Sequence, residues 1–342
     1  MRIRTKHIVT FLVVMVIAVF LATYQLPYYI QKPGSADALD PIVSVDNGYK
    51  SKGDMHLVTV RGGQATPIQY AMAKVLPHEE IIPIDKVMPK GISKDDYFHA
   101  QLQMMESSQE AATVVAYKAA NKDIKIRYDG VYVVSTVKGM PADGKLKSGD
   151  RITGVDGRDI KEANDLINYV QTKKPGNTLS FAIERDGEKR TEKIGLKEFK
   201  DQKGKIGIGI QLVTDRSVSV KPEVHFKSGD IGGPSAGLMF SLKIYDELTK
   251  QDLTHGLQIC GTGEIDYDGN VMRIGGIDKK VIAADKAGCN IFFAPNERGA
   301  KESNYKVAKK AAKEIGTDMK IVPVDTFQDA LHYLENMDKG KK

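Results

Sequence analysis

Between Ile8 and Gln31 the chain carries 24 consecutive residues without a charged side chain. A helix needs roughly 20 apolar residues to cross the hydrocarbon core of a bilayer, so this run, dense in Val, Ile, Leu and Phe, predicts a membrane-spanning helix. Tyr24, Tyr28 and Tyr29 cluster at its far edge, where a belt of interfacial aromatic rings is expected. Arg2, Arg4 and Lys6 precede the run and only Lys32 follows closely. By the positive-inside rule this predicts a single-pass protein with a cytoplasmic amino terminus and its folded part outside the cell membrane. A cleaved leader is the competing reading. The apolar stretch is longer than a usual leader core and no small-x-small site stands before Tyr24, which favours the anchor.

The same residues answer the charge question. A net charge of +6 and a pI near 8.9 invite a nucleic-acid reading. Arg2, Arg4, Lys6 and Lys32 belong to the apolar run's flanks, and without them 46 basic residues face 44 acidic ones. No clustered basic face remains, so nucleic acid is not an expected partner. A hydrophobic content of 41% excludes wholesale disorder and also a polytopic membrane protein. Two cysteines exclude a disulfide-built scaffold or a four-cysteine zinc module. No HExxH motif is present, and neither a cofactor nor a metal is expected. Whether Cys260 and Cys289 pair is open at this level.

A length of 342 residues predicts more than one domain. Pro33 to Gly53 is rich in Gly, Ser, Asp and Pro and reads as a tether. His56 to Arg61 alternates like a strand, Pro67 to Leu76 reads as helix, and Ser93 to Ala120 as a longer helix capped by Ser93. From Ile124 to Leu196 short strands surround one helix over Ala163 to Gln171. From Ile206 onward the predicted strands are 206–213, 217–220, 257–260, 291–294 and 320–324, with helices at 235–248, 277–287, 301–314 and 327–336. The fold class is therefore a multidomain α+β chain.

In the middle region, Gly130-Val131-Tyr132-Val133, then Pro141-Ala142, Leu146, Gly149-Asp150 and Asp156-Gly157, resembles a bacterial PDZ domain over about residues 123–197. The resemblance implies a Gly-led loop that exposes backbone N–H groups to a peptide carboxylate, followed by a strand edge for an added peptide strand. Leu166 and Val170, at i and i+4 on the helix, would line the side-chain pocket. A small β-rich domain whose loop binds nothing is the plainer alternative.

Further on, the turn Ser228-Gly-Asp-Ile-Gly-Gly233-Pro234-Ser235-Ala236-Gly delivers Ser235 to the start of a helix. Unpaired backbone N–H groups there can stabilise an oxyanion. The same turn could bind phosphate or merely cap a helix. A nucleophilic serine needs a base, and the seven histidines form no constellation around it; His225 reads as a strand residue. On the wheel of the helix over 277–287, Ile277, Val281 and Ala284 define the apolar face. Lys280 lies at that face's border, whereas Lys279 and Lys286 fall on the opposite, wet side. A semi-buried lysine can become a base as burial lowers its pKa, although a snorkelling lysine is the common case.

Gly-Pro-Ser235-Ala-Gly, then Gly261-Thr262-Gly263-Glu264-Ile265, then Ile274-Gly275-Gly276-Ile277-x-x-Lys280, is similar in order and spacing to the Lon-type Ser-Lys protease domain. The resemblance implies Ser235 as nucleophile, Lys280 as general base, and Thr262 as a supporting hydroxyl near the lysine. Gly233, Pro234 and Ala236 would shape the oxyanion site. Two departures stand out. Gly232-Gly233 replaces the Asp-Gly of many Lon proteases, and no GxxxxGK[ST] phosphate loop occurs in the chain. Taken with the anchor and the PDZ region, the chain resembles the membrane-anchored PDZ–Lon-like serine proteases of Gram-positive bacteria, the SepM or pheromone-processing family. That resemblance implies an ATP-independent endopeptidase acting on peptides or unfolded segments at the cell surface, with a possible homo-oligomer. The expected parts are a stub and anchor at 1–32, a tether at 33–53, a first piece of the Lon-like domain at 54–122, an inserted PDZ domain at 123–197, and the Lon-type proteolytic domain at 198–342. A membrane-tethered PDZ adaptor without catalysis is the rival reading.

Overall fold

Helix α1 (Thr5–Thr23) is apolar on every side and buries none of its residues in the protein. At 1.5 Å per residue it is about 29 Å long, close to the hydrocarbon thickness of a bilayer. The structure, a computed structural model, describes residues 5–88, 94–199 and 204–337; Arg2, Arg4 and the expected cap Ser93 lie outside them. The helix ends at Thr23, so of the three tyrosines only Tyr24 sits at its rim, while Tyr28 and Tyr29 already belong to a strand.

The chain continues through β1 (Tyr28–Ala38), β2 (Val43–Val45), β3 (Asp54–Gln64), α2 (Pro67–Ala73), β4 (Glu80–Pro83), α3 (Ile84–Val87) and the long α4 (Lys94–Ala119). Next come β5 (Asp123–Thr136), β6 (Arg151–Val155), β7 (Arg158–Asp159), α5 (Ala163–Gln171), β8 (Thr178–Arg185), β9 (Glu188–Gly195), β10 (Lys197–Glu198), β11 (Ile206–Gly207) and β12 (Ile210–Lys221). The last part holds β13 (Val224–Phe226), α6 (Gly237–Leu248), β14 (Gln258–Gly261), β15 (Glu264–Ile265), β16 (Val271–Met272), α7 (Ile277–Lys286), β17 (Ile291–Pro295), α8 (Asn304–Ile315), β18 (Lys320–Val324) and α9 (Phe327–Glu335).

Two sheets organise these elements. The first has the order β18-β17-β14-β3-β1-β4, with β3, β14, β17 and β18 parallel and β1 and β4 antiparallel to their neighbours. Its strands alternate between two apolar layers, as the two-residue period of a strand dictates. Leu57, Ile259 and Phe293 face a core shared with α4, α6 and α9; Val58, Cys260 and Phe292 face a second core shared with α7 and α8. Cys260 and Cys289 pair as a disulfide in that second core, with a Cα separation of 5.9 Å that suits the bond.

The expected tether at 33–53 is corrected by this sheet. Residues up to Ala38 are strand, pairing Lys32 with Arg61 and Asp37 with Leu57, and Leu39, Val43 and Val45 are buried. Pro33 and Gly34 occupy a break in the β1–β3 register, and a Cβ on Gly34 would come within 2.4 Å of Thr59 Oγ1. The glycine that looked like linker composition is required by close backbone approach.

The second sheet, β12-β5-β6-β8-β9, closes with α5 over its own core of Val131, Val133, Ile152, Leu166, Phe181 and their neighbours. This core also takes Ile206, Ile208, Ile210 and Leu212, so the small domain does not end at 197 as expected. β5 and β12 pair along their full length, from Asp123↔Lys221 to Thr136↔Ile210. Ile124 and Val220 at the lower end pack on the core shared with α4, α6 and α9, whereas Val131 and Leu212 belong to the small domain. A continuous two-stranded ribbon thus joins the units.

Candidate active site

Ser235 precedes α6 by two residues, in a turn that Gly233 shapes at φ +88°, a conformation that favours glycine. Helix α4 braces this turn from outside: Gly233 N donates to Gln101 O at 2.8 Å and the buried Ser108 Oγ donates to Pro234 O at 2.8 Å. Lys280 comes from the second turn of α7, and its Nζ lies 2.7 Å from Ser235 Oγ. The same Nζ donates to Thr262 Oγ1 at 2.9 Å, and Thr262 Oγ1 in turn donates to Ser235 O at 2.9 Å. Because the only hydroxyl proton of Thr262 is committed to that carbonyl, its oxygen can only accept from the lysine. One N–H of Lys280 is thereby aimed at Thr262; toward Ser235 Oγ the ammonium donates, and only the neutral amine can turn its lone pair to the serine hydroxyl. Burial lowers the Lys280 pKa to about 7, and the residue is 3% exposed.

Three parts of the sequence, 27 and 18 residues apart, therefore converge as the motif spacing anticipated. Lys279 does not follow its expectation. It is buried, and its Nζ donates to Glu80 at 2.6 Å and to Asp278 at 2.9 Å. Burial works against its charge, but the two carboxylates prevail and hold the ammonium above its ordinary range. The wheel recognises one apolar face, whereas Glu80 on β4, remote in sequence, covers the opposite one. Lys286 is exposed as expected.

Of Gly233, Pro234 and Ala236, named for an oxyanion site, and Ser235 between them, two can donate. Pro234 has no N–H, and the Gly233 N–H is spent on Gln101. Among the described residues no acceptor faces the N–H of Ser235 or Ala236. The Ser235 turn opens on a cleft of about 660 Å³ whose walls include Tyr29, Val58, Tyr97, Phe98, Met105 and Glu264. Burial raises the Glu264 carboxyl pKa. Ser108 and Gln101 were not singled out by sequence, since a bracing residue on a distant helix has no local signature; Glu264 stood in the quoted motif without a role.

The peptide groove of the small domain needs a larger correction. Gly130, Val131, Tyr132 and Val133 lie within β5, which is hydrogen-bonded to β12 on one side and to β6 and Asp150 on the other. No edge is open there. The edge strand on this side of the sheet is β12, and α5 lies beside it and β11: Ala163 N donates to Thr214 Oγ1 of β12 at 2.9 Å, and Gln171 Nε2 donates to Ile206 O of β11 at 2.7 Å. Leu166 and Val170 are buried in the domain core rather than lining a groove. The row Ala163, Ile167, Gln171 is pinned to β12 at its first member and to β11 at its last, and its middle member Ile167 is exposed.

The family model described as PDZ domain matches residues 100–196, and that of the Lon protease (S16) C-terminal proteolytic domain matches residues 189–336. The chain joins a PDZ domain to a Lon-type proteolytic domain. This is the arrangement of the PDZ–Lon-like proteases, and the Ser235 turn, Thr262 and Lys280 all fall inside the Lon-type match. A Lon protease of Campylobacter jejuni is 34% identical over 140 residues, covering 38% of this chain and 16% of that protein. A Lon protease of Mycoplasma mobile is 25% identical over 244 residues, covering 66% of this chain and 27% of that protein. The chain thus spans only a minor share of the length of the Lon proteases it matches. The solved PDZ domain of the SdrC-like protein from Listeria monocytogenes is 40% identical, covering 26% of this chain and 93% of its own, at a TM-score of 0.24.

Proposed function

We propose that this PDZ–Lon-type chain is a membrane-anchored serine endopeptidase that works without ATP through Ser235 and Lys280, on peptides or flexible segments outside the cell. The observation that carries this reading is the buried Lys280 amine, 2.7 Å from Ser235 Oγ and isolated from any carboxylate partner among the described residues. A lysine in that setting is substantially neutral at pH 7 and can accept the serine proton. Ser235 Oγ then attacks the scissile carbonyl, and the N–H groups of Ser235 and Ala236 receive the developing oxyanion. Lys280, now protonated and tethered to Thr262, returns its proton to the leaving amine; water repeats the sequence on the acyl-enzyme.

Several features support the finer parts of the reading. α1 has the length and composition of a span, and its basic flank precedes it. The Cys260–Cys289 disulfide suits an oxidising compartment. The 342 residues contain no GxxxxGK[ST] phosphate loop, in keeping with a reading in which the substrates are already extended. The open edge of β12 beside Ile167 suits an added peptide strand with an apolar side chain, which would recruit substrates by their C-terminal segment. Ser235→Ala is expected to abolish peptide cleavage and labelling by a fluorophosphonate probe, with the melting curve retained. Undiminished cleavage would overturn the assignment, and a wild type that binds peptides without ever cleaving them would favour the adaptor reading.

A further inference from the structure

α2 is apolar on its outer face as well as on its inner one, which is unusual for a surface helix. Tyr70 and Ala73 point into a small core with Ile30, Ala65 and Leu26. The outer face presents Ile68, Met72, Val75 and Leu76, all exposed, Val75 to 81%. Their spacing of i, i+4, i+7 and i+8 makes one continuous stripe, and Val75 N and Leu76 N both donate to Met72 O, extending the turn beyond the helix proper. Single exposed apolar residues are ordinary, but a contiguous stripe marks an interaction surface.

The stripe adjoins the end of α1. Leu26 N donates to Ala65 O and Gln64 Nε2 donates to Leu26 O, which fastens the residues after α1 to the strand end that feeds α2. Tyr24, exposed at the rim of α1, and Tyr70, packed at a tilt against Tyr28 with Lys74 over its ring, supply the amphipathic rings typical of a bilayer interface. We infer that the outer face of α2 is a second membrane contact, seated in the bilayer interface beside α1, and that it holds the catalytic cleft at the membrane surface. This rests on the reading of α1 as a retained anchor.

The height of the cleft follows from the chain. Lys94 Nζ, at the start of α4, donates to Gln25 Oε1, two residues past α1. Gln101, which braces the Ser235 turn, is seven residues further along α4, about 10 Å of helix rise. Tyr29, a cleft wall, is six residues beyond Thr23, no more than about 20 Å even when fully extended. A bilayer contact on α2 would stop the protein from swinging about α1 and would present the cleft to segments that emerge from the membrane.

The test uses the full chain in phosphatidylglycerol–phosphatidylcholine vesicles, with an environment-sensitive fluorophore on Val75→Cys, Val13→Cys or Lys310→Cys and brominated acyl chains as quencher. Quenching at positions 13 and 75 but not at 310 is expected. Quenching at 13 alone overturns the second contact and leaves the anchor reading intact, whereas no quenching at 13 removes the anchor reading and the inference with it. A blue shift at 75 without lipid quenching assigns the stripe to a second copy of the chain, which also overturns it. In parallel, the variant Ile68→Ser/Met72→Ser/Val75→Ser/Leu76→Ser is expected to cut a lipid-anchored peptide several-fold more slowly than wild type, and the same peptide without its lipid at the wild-type rate. Equal rates on both peptides, or equal loss on both, would count against the inference.

Discussion

Replacing Lys280 by Met is expected to destroy activity and, at neutral pH, to stabilise the fold. The side chain is buried and its pKa is about 7, against 10.5 for an ordinary lysine. At pH 7 the unfolded chain binds a full proton at this position and the folded chain about half of one. Folding therefore works against a penalty on the order of 4 kcal/mol, since each pKa unit corresponds to about 1.4 kcal/mol. The contacts of Nζ with Ser235 Oγ and Thr262 Oγ1 offset about 1 kcal/mol each. Methionine keeps the apolar stem without the amine, so the net gain is about 2 kcal/mol, a rise in Tm of roughly 4–8 °C. Between pH 7 and 10.5 the unfolded chain holds more protons than the folded one, so the wild type gains stability as pH rises through that window and the advantage of the variant fades. Below about pH 7 both states are protonated and the advantage is full and constant. Thermal unfolding of the full chain in detergent at pH 6, 8 and 9.5, alongside peptide hydrolysis, measures this. A variant less stable than wild type by the same amount at every pH would mean that Lys280 is charged in the folded protein, and the general-base reasoning would fail.

Other consequences can be checked with single substitutions. Peptide hydrolysis by the wild type should rise with pH through about 7 as the Lys280 amine loses its proton, and a profile flat between pH 6 and 8 would contradict that. Thr262→Val removes the hydroxyl that takes one lysine N–H and holds the Ser235 carbonyl, so kcat should fall about 10- to 100-fold with KM little changed, read from steady-state kinetics. Ile167→Asp places a charge beside the open edge of β12, and fluorescence anisotropy should show an apolar C-terminal peptide binding about tenfold or more weakly, with the melting curve unaltered.

Much of the arrangement around Ser235 was legible from residue types and order. Gly-Pro-Ser235 set a serine at a helix start, and the wheel of α7 picked Lys280 from three lysines by its place at the border of the Ile277, Val281 and Ala284 face. The strand at 320–324 and the helices at 277–286 and 327–335 were legible too, because each is amphipathic within its own segment. The failures share one cause. Lys279 was assigned to water because its cover, Glu80, lies about 200 residues away. The Gly130–Val133 edge was assigned to peptide because β12, which fills it, begins 77 residues after Val133. Residues 33–38 looked like linker because Pro, Gly and Ser dominate there, although the long-range ladder with β3 fixes them as strand.

The sequence by itself determined what is local or periodic: an apolar span with a basic flank, the caps and faces of helices, and a serine turn followed at fixed spacing by a threonine and a lysine. The tertiary structure decided what depends on partners from elsewhere in the chain. It brought the lysine amine to 2.7 Å from the serine and removed it from water, which changes its proton affinity; it spent the Gly233 N–H on α4; and it moved the open strand edge to β12. Burial and strand pairing are properties of contacts, and contacts across hundreds of residues leave no pattern in any one segment.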